Sequence, residues 1–522
     1  MRKLLTMGAL SCAALMAAPA ALAAPPSDSS ALRDAVDVAG MREHMREFQR
    51  IADRNDDTRA SGTRGYDQSL AYAKRQLERT GYFDVTVQNF TYDVFRELAP
   101  AEMERISPQP RTYTSEEVDT MEYSGSGDVT GDLVATNDIV IPPPATPGST
   151  SGCEASDFPA ASTTEDQIAL IQRGSCTFQL KAENAEAAGY DAVIIFNEGQ
   201  EGRQDTVFGT LSADYTGTIP VVGTSFAVGE ELYNLLQDGP VEMRVATLGE
   251  TRKDQPTANL IADTKTGRTD RTVVAGAHLD SVFEGPGIND NGSGSATQLE
   301  IALEMARMNV QPENEVRFAW WGAEESGLIG SQLYVDGLSK PQIKDIAVNL
   351  NFDMVASPNY VRFVYDGDAS DTESTGSTGS GVVEDVFNDY FASQGLETEP
   401  TAFDGRSDYD AFVAVGIPAG GLFTGAEGIK TAEQQAIYGG VAGEQYDPCY
   451  HEACDTFDSV FDHPPGLPLL EGNGAKGLDE MSDGAAHAVI TFAETESAVQ
   501  GTDKGNANGQ YKPDWKGPHQ KR

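Results

Sequence analysis

The chain has 522 residues, which is enough for two or three domains of ordinary size. Its 81 acidic and 37 basic residues give a formal net charge of -44. Because a field of that sign repels phosphate, the composition argues against nucleic acid or an anionic membrane surface as a partner. The acidic residues are spread along the chain, which favours solubility in a salty or extracellular medium over an acidic interaction tail.

Residues 1–23 have the pattern of an export signal. Arg2 and Lys3 precede a run rich in alanine and leucine, and residues 21–23 offer a small-residue cleavage site. A lipoprotein signal that uses Cys12 is a minor alternative, because the apolar run before this cysteine is too short. No later stretch approaches the length of a membrane span. We therefore expect a secreted protein, extracellular or periplasmic, with no membrane attachment in its mature form.

Removal of the signal leaves four cysteines, an even number that favours disulfide bonds in an exported chain. Three pairings are possible, and we favour the local one, Cys153 with Cys176 and Cys449 with Cys454. A structural zinc ion held by all four thiolates is the rival interpretation. It is disfavoured because the paired two-residue spacings that such sites usually need are absent.

The first folded segment, residues 30–115, reads as two helices followed by a strand. The periodic string ALRDAVDVAGMREHMREFQRIADR predicts an amphipathic helix that is broken near Gly40. A second helix is predicted over residues 67–81, with Gly81 as its stop signal. The string FDVTVQNFTYDVF alternates apolar and polar residues and predicts a strand.

The composition and the hydrophobic pattern of the sequence change near residue 120. Residues 120–250 contain turns rich in glycine, proline and threonine, the short apolar runs IALIQRG, AVIIFNE and IPVVGTS, and one predicted helix, LKAENAEAAGY. We therefore interpret this segment as an inserted β-rich module, which carries Cys153 and Cys176.

Strand-like and helix-like strings alternate over residues 255–497. NLIADT, TVVAGAHLD, VRFAWWGAEE and IAVNLNFDMV are typical of strands, whereas SATQLEIALEMARMN, SQLYVDGL and GLDEMSDGAAHAVITFAETE are typical of helices. This alternation predicts an α/β domain with much parallel strand pairing. Residues 501–522 form a polar C-terminal tail.

Residues that can bind metal follow three of these strands. Ligand sites in open α/β sheets usually lie at the carboxyl ends of the strands. With two further residues from loops, the candidates are His278, Asp280, Asp290, Glu324, Glu325, Asp353 and His451. Such a nitrogen and oxygen set suits zinc, and a pair of ions could share one carboxylate. A carboxylate that is not shared would then take a proton from the attacking water.

Spacing assigns different tasks to neighbouring candidates. Glu324 and Glu325 are adjacent, so on an extended backbone their side chains point to opposite sides and suit two different tasks. His278 and Asp280 are two residues apart on a strand, so they share a side, and Asp280 could orient the imidazole ring. One histidine or aspartate at a strand end is more often structural, and it is the gathering of several such groups that indicates a metal site.

Several strings resemble one known family. GAHLDS, GINDNGSGSA, WWGAEESGLIGS, NFDM and CYHEACD occur in the order typical of the M28 family of dinuclear zinc aminopeptidases, and RASGTRGYDQSLAYAKRQL and GRSDYDAF are also similar to it. Residues 120–250 resemble a protease-associated (PA) domain. The resemblance implies an α/β fold with a mixed, largely parallel sheet and helices on both faces. It places the catalytic domain in residues 30–115 and 255–497, on either side of the PA insertion.

The resemblance also implies a ligand set for two zinc ions per chain. His278 and Asp353 would hold one ion, and Glu325 and His451 would hold the other. Asp290 would bridge the two ions, and the peptide bond after this aspartate is often cis in the family.

Further roles are implied for residues around these ligands. Glu324 would be the general base and later the proton donor to the leaving amine, and Tyr450 would donate to the developing oxyanion. Asp280 would orient His278. The segment around Arg406 would line the substrate end, and its backbone carbonyl is the expected partner of a free ammonium group, because the guanidinium repels that charge.

The sequence therefore predicts a secreted aminopeptidase that removes an N-terminal residue, large and apolar like leucine, from peptides with a free N-terminus. A glutamate carboxypeptidase-like or glutaminyl cyclase-like enzyme is an alternative, but lysine and arginine are sparse near the motifs. A binding or receptor protein that keeps the fold without catalysis is the third hypothesis. The oligomeric state is left open.

Overall fold

The computed structural model describes residues 28–200, 202–372, 374, 376–467, 470 and 472–495. Its helices are α1 (Ser30–Arg33), α2 (Val38–Ala52), α3 (Arg64–Thr80), α4 (Phe178–Ala187), α5 (Phe226–Asp238), α6 (Gly292–Arg307), α7 (Ile329–Asp336), α8 (Lys340–Asp345), α9 (Ser380–Ser393), α10 (Asp410–Ala414), α11 (Ala432–Tyr438), α12 (Phe457–Phe461) and α13 (Asn473–Glu494), with a short 3-10 helix at Ala155–Asp157. Its strands are β1 (Phe83–Ser107), β2 (Arg111–Thr112), β3 (Val118–Thr120), β4 (Gly127–Ala135), β5 (Gln167–Gln172), β6 (Ala192–Phe196), β7 (Val221–Thr224), β8 (Glu242–Thr264), β9 (Arg268–His278), β10 (Asn314–Trp321), β11 (Ile346–Phe352), β12 (Phe363–Tyr365), β13 (Glu399–Thr401) and β14 (Ala419–Phe423).

One mixed sheet of fourteen strands runs through the described residues. Its main path has the order β13-β12-β14-β11-β9-β10-β8-β4-β5-β6-β7-β3, and β1 and β2 pair beside it. In the C-terminal half, β9 pairs in parallel with both β10 and β11, and β11 pairs in parallel with β14. The predicted α/β fold with a largely parallel sheet is confirmed.

Both faces of this central region are buried, as the side chains of β10 show. Successive residues of a strand point to opposite faces, and Trp320 and Trp321 accordingly enter two different cores. Trp320 packs in the cluster built from α2, α3, α6, α9 and α13. Trp321 packs on the other face against Tyr334 of α7 and Phe412 of α10. The apolar end of β10 is therefore fixed by packing on both faces, and it holds the residues that follow it in a constant position.

A long antiparallel ribbon connects the two halves of the molecule. β1 and β8 pair from Phe83 opposite Thr264 to Ser107 opposite Glu242, with several register shifts. Near one end β8 also pairs with β10, and near its other end it pairs with β4. The strands of the inserted segment thus continue the sheet of the C-terminal half through β8.

The inserted segment has a helix on each face of its strands, and the sequence predicted only one. α4 matches the predicted helix, and its Ala182 and Ala185 lie in one core cluster. α5 was not predicted, and its Val228 and Leu232 lie in a second cluster on the opposite side of the strands. Ser225 caps α5 by accepting from the N–H of Val228, so the serine after the strand IPVVGT starts a helix and not a turn.

The break in the first predicted helix lies at residues 34–37 and not at Gly40. The Asp37 side chain begins α2 by accepting from the N–H of Gly40 at 2.8 Å. Gly40 lies in the first turn of α2, where a Cβ atom would meet the Glu300 carboxylate at 2.2 Å. The glycine therefore permits close packing of α2 on α6.

The second predicted helix agrees with the structure. α3 begins after Thr63, whose side chain accepts from the N–H of Tyr66. It ends at Gly81, which has a φ of 65°, a left-handed conformation that glycine adopts without strain.

The structure joins Cys153 to Cys176 and Cys449 to Cys454, which is the local pairing favoured from the sequence. Among the described residues, no helix combines the length and the apolar character that a membrane crossing needs. The predicted signal peptide (1–23) and polar tail (501–522) lie outside the described residues.

Replacing Cys153 and Cys176 together by serine should lower the free energy of unfolding of the inserted segment by about 3 kcal/mol. The bond links residues 23 apart, so its loss restores the entropy of an open loop to the unfolded chain. Urea unfolding under non-reducing conditions measures the change. Ser156→Ala, at an exposed position nearby, is the matched control. An unfolding midpoint equal to that of the control would contradict the prediction.

Candidate metal centre

Three neighbouring strands end together at one edge of the sheet. In the parallel register, Trp321 of β10 lies opposite His278 of β9, and Asn351 of β11 lies opposite Gly276 of β9. Because the strand ends coincide, the side chains that follow β10 and β11 reach the same place as His278. Asp353 is the first residue after β11.

Glu324 and Glu325 lie on a turn, so the expectation of an extended backbone at these residues was wrong. β10 ends at Trp321, and Ala323 adopts a φ of 57°. Ser61 Oγ, which is buried, accepts from the N–H of Ala323 at 2.7 Å and stabilises this turn. The turn, and not strand alternation, sets the different directions of the two carboxylates.

His278 is the centre of one group of ligand atoms. Its Nε2 lies 3.1 Å from Asp290 Oδ1 and 3.3 Å from Asp353 Oδ1. Glu324 Oε2 is farther away, at 3.8 Å. One ligand atom each from His278, Glu324 and Asp353 lie within 4.8 Å of one another, and the same holds for His278, Asp290 and Glu325.

His451 is the centre of a second group on the other side of Asp290. Its Nε2 lies 3.3 Å from Asp290 Oδ2 and 3.1 Å from Glu325 Oε2. The two oxygens of Asp290 thus face two different imidazole rings, Oδ1 toward His278 and Oδ2 toward His451. The arrangement offers two sets of ligand atoms that share one carboxylate.

The site buries more negative charge than its imidazole rings balance. Burial raises the pKa of Glu325 to about 6, and the charge of Asp290 adds to the rise. Burial also raises the pKa of Glu324 well above its ordinary value. For His451 burial opposes the charged form, but Glu325 and Asp290 outweigh it and raise the pKa to about 10. Among the described residues, the buried oxygens Asp353 Oδ1 and Glu325 Oε1 accept no well-aligned hydrogen bond, although His278 Nε2 lies 3.3 Å from the first. Divalent cations such as zinc fit this donor set, because they would balance the charge and use these oxygens.

Asp280 lies between the imidazole of His278 and the turn of the glutamates. The backbone oxygen of Asp280 is 3.2 Å from His278 Nδ1, and its carboxylate Oδ1 is 3.6 Å from the same nitrogen. That carboxylate oxygen accepts from the N–H of Glu324 at 3.3 Å. The backbone carbonyl is therefore the closer partner of the ring.

Ser407 and Asp408 are part of the site, and the sequence analysis did not select them. The hydroxyl of Ser407 donates to Asp353 Oδ2 at 2.5 Å and accepts from Asn351 Nδ2 at 2.8 Å. Asp408 is fully buried, and burial raises its pKa to about 7. For the string GRSDYDAF, the resemblance implies a role for Arg406 alone. A serine and an aspartate side by side in that string were the available signal.

The loop that carries Asp290 is fixed by Asp455, which sequence reasoning also missed. The peptide bond between Asp290 and Asn291 is cis, as the resemblance implied. The Asp455 carboxylate accepts from the backbone N–H groups of Asn289 and Asp290, at 2.8 and 2.9 Å. Asp455 directly follows Cys454, in the loop whose disulfide encloses His451. Residues 449–455 therefore carry His451 and also hold the backbone of Asp290, whose carboxylate faces His451.

Arg59 fixes the other loop of the site and was not selected either. It is fully buried, and its guanidinium donates to the backbone oxygens of Leu279, Pro286 and Gly287. These carbonyls belong to the loop between His278 and Asp290. The string RASGTRG, in which Arg59 lies, contributed to the resemblance but gave no indication of this contact.

Tyr450 and Arg406 lie together beside His451. The rings of Tyr450 and His451 stack with their centroids 3.9 Å apart. Arg406 Nη2 donates to the hydroxyl oxygen of Tyr450 at 3.0 Å. The structure thus brings the predicted oxyanion donor and the predicted substrate-end residue to the metal-ligand cluster.

Comparisons with known proteins agree with this fold and site. Residues 259–463 match peptidase family M28, and residues 129–232 match the PA domain. An aminopeptidase of Pseudomonas aeruginosa is 46% identical over 80% of this chain and 76% of its own length. A probable leucine aminopeptidase 2 of Aspergillus fumigatus is 39% identical over 86% of each chain. The solved structure of BSAP, a zinc aminopeptidase from Bacillus subtilis, matches with a TM-score of 0.57 and 25% identity, over 89% of this chain and 98% of that one.

A ligand cluster of histidines and carboxylates at the carboxyl edge of an α/β sheet is the arrangement of a metal-dependent hydrolase. The chain belongs to peptidase family M28 and is an aminopeptidase of that family with an inserted PA domain. The predicted family and enzyme class are confirmed.

Asp455→Ala should weaken zinc binding by about 10- to 100-fold, because the backbone of Asp290, whose carboxylate lies between His278 and His451, loses the carboxylate that holds it. Competition against a chelator measures the dissociation constant, and circular dichroism shows whether the metal-free variant is folded. Asp458→Ala, in the exposed pair with His463, is the matched control. A folded Asp455→Ala protein that binds zinc as tightly as the control would contradict the prediction.

Proposed function

We propose that the enzyme removes an N-terminal, leucine-like residue from peptides with two zinc ions per chain, and that it works outside the cytoplasm. The observation that carries this proposal is the placement of Asp290, whose two carboxylate oxygens face His278 and His451. Asp353 also lies beside His278, and Glu325 also lies beside His451.

The distances between these side chains support a division of the residues between two zinc positions. His278 and Asp353 would hold one ion, Glu325 and His451 the other, and Asp290 would bridge them. When bound, the ions supply Lewis acidity toward the peptide carbonyl and toward the attacking water. All other steps belong to side chains of this protein.

Glu324 is the proposed general base. It lies within the cluster, but its Oε2 is farther from His278 Nε2 than the nearest oxygens of Asp290 and Asp353 are, so we assign it the proton transfer and not a ligand position. It accepts the proton of the attacking water and later returns it to the nitrogen of the leaving amine. The hydrogen bond from its backbone N–H to Asp280 fixes the backbone from which this side chain extends.

Tyr450 is the proposed donor to the oxyanion. Its phenol stacks on the ring of His451, which holds it at the edge of the cluster. A hydrogen bond that strengthens as negative charge develops on the substrate oxygen lowers the barrier of the chemical step.

The charge of the site favours substrates with a free ammonium group. The floor of the cluster is rich in carboxylates, which attract a cationic N-terminus. Arg406, whose guanidinium would repel that group, is paired with Glu427. The preference for a leucine-like residue is supported by the name of the Aspergillus relative.

Two other functions fit these observations less well. A carboxypeptidase needs free cationic groups for the C-terminal carboxylate, whereas Arg59 is bound to three carbonyls and Arg406 is paired with Glu427. A binding protein without catalysis has no need for a base beside a full set of ligands. Export is supported by the signal pattern of residues 1–23 and by the two disulfide bonds.

The free N-terminus can be tested with matched substrates. We expect hydrolysis of leucyl amide and no hydrolysis of N-acetyl-leucyl amide, because acetylation removes the ammonium charge that the carboxylates attract. Release of leucine followed by chromatography measures both rates. Equal rates on the two substrates, or release of residues from the C-terminal end of a peptide, would contradict aminopeptidase specificity.

Replacing each of the two adjacent glutamates by glutamine should impair the enzyme in a different way. Glu324→Gln should keep zinc and lower kcat by at least about 100-fold, since it removes the base. Glu325→Gln should weaken zinc binding, since it removes a ligand. Zinc content after dialysis, measured by atomic emission, together with kcat at saturating zinc, separates the two effects. Equal loss of zinc in both variants would contradict this division of labour.

A further inference from the structure

The hydroxyl of Tyr450 contacts Arg406, which forms an ion pair with Glu427. Arg406 Nη1 donates to Glu427 Oε1 at 2.7 Å, and Arg406 Nη2 donates to the hydroxyl oxygen of Tyr450 at 3.0 Å. A guanidinium is planar and rigid, so fixing one of its nitrogens also fixes the direction of the other. Glu427, Arg406 and Tyr450 therefore form one chain of contacts.

The direction of the hydrogen bond on Tyr450 matters for its proposed task. Arg406 has donors and no acceptor, so the phenol oxygen must accept in this contact. The hydrogen of the phenol is then left to point at another acceptor. Adjacent positive charge also makes a hydroxyl a stronger donor. Arg406 thus prepares Tyr450 to donate to an oxyanion.

The backbone around Glu427 is fixed to the segment that carries Tyr450. The carbonyl oxygen of Ala426 accepts from the N–H of Asp447, and that of Gly428 accepts from the N–H of Tyr446. The positions on both sides of Glu427 are therefore joined to the chain a few residues before Tyr450. This pairing fixes the backbone of Glu427 relative to the segment that carries Tyr450.

The ion pair has no evident structural purpose. The Arg406 and Glu427 side chains are 46% and 49% exposed, and ion pairs with that exposure contribute little to folding. Without Glu427, however, the guanidinium would be free to leave Tyr450. The pair is better explained by the chemistry beside it.

We infer that Glu427 is a positioning residue, which holds the Arg406 guanidinium against Tyr450 so that the phenol presents its hydrogen to the substrate oxyanion. The inference rests on the proposed role of Tyr450. It adds a residue that touches neither the metal ligands nor the reacting atoms.

The test is a double-mutant cycle on the zinc-loaded enzyme with leucyl amide. Glu427→Ala should lower kcat by about 10-fold with KM changed less than two-fold, because the contact acts in the transition state. Glu427→Gln, which keeps an acceptor for Arg406, should retain more activity than Glu427→Ala. In an Arg406→Ala background, Glu427→Ala should have no further effect on kcat.

Controls separate a positioning role from a structural one. Zinc content and melting temperature should equal those of the wild type in every Glu427 variant. Glu78→Ala, which breaks an ion pair of similar exposure on α3, should leave kcat unchanged. Additive effects of Glu427→Ala and Arg406→Ala would overturn the inference, because Glu427 would then act by itself.

A Tyr450→Phe variant distinguishes the inference from the proposed function. We expect Tyr450→Phe to lower kcat by about 100-fold or more. Full activity of this variant would contradict the proposed role of Tyr450 and the inference with it. Loss of activity in Tyr450→Phe together with wild-type kcat in Glu427→Ala would overturn the inference alone.

Discussion

The structure depends on keeping one carboxylate, that of Asp290, between two imidazole rings. Burying that charge is costly unless it is paired, and each of its oxygens has its own histidine. The carboxylate of Asp455 holds the backbone of Asp290, and the side-chain oxygen of the next residue, Asn291, caps α6 by accepting from the N–H of Gly294. Hydrogen bonds therefore hold the backbone on both sides of this carboxylate.

The sheet supplies the precision that such a site needs. Parallel register brings the ends of β9, β10 and β11 to one edge, and Trp320 and Trp321 anchor β10 in apolar cores on both faces. Polar groups can then begin at the strand ends without disturbing either core. The long β1–β8 ribbon extends the same sheet into the PA region. That region is thus joined to the catalytic half by strand pairing.

The residues that the structure brings together at the proposed metal site could be selected from the sequence because strand ends and short motifs are local features. His278 ends a recognisable apolar strand, and the adjacent glutamates follow another. Their turn was not predicted, since the contact from Ser61 that holds it comes from a distant part of the chain. The roles of Arg59 and Asp455 were missed for the same reason: both bind backbone groups more than 150 residues away. Gly40 does not break the helix, because it allows α2 to pack closely against Glu300 of α6. A local sequence pattern contains no information about that contact.

A crystal structure of the zinc-loaded protein with anomalous scattering measured at the zinc edge tests the central claim most directly. We expect two zinc peaks about 3.5–4 Å apart. One peak should be bound by His278 and Asp353, the other by Glu325 and His451, with Asp290 between them and Glu324 bound to neither. A single peak, or a direct bond from Glu324 to zinc, would contradict the shared-carboxylate account of this site.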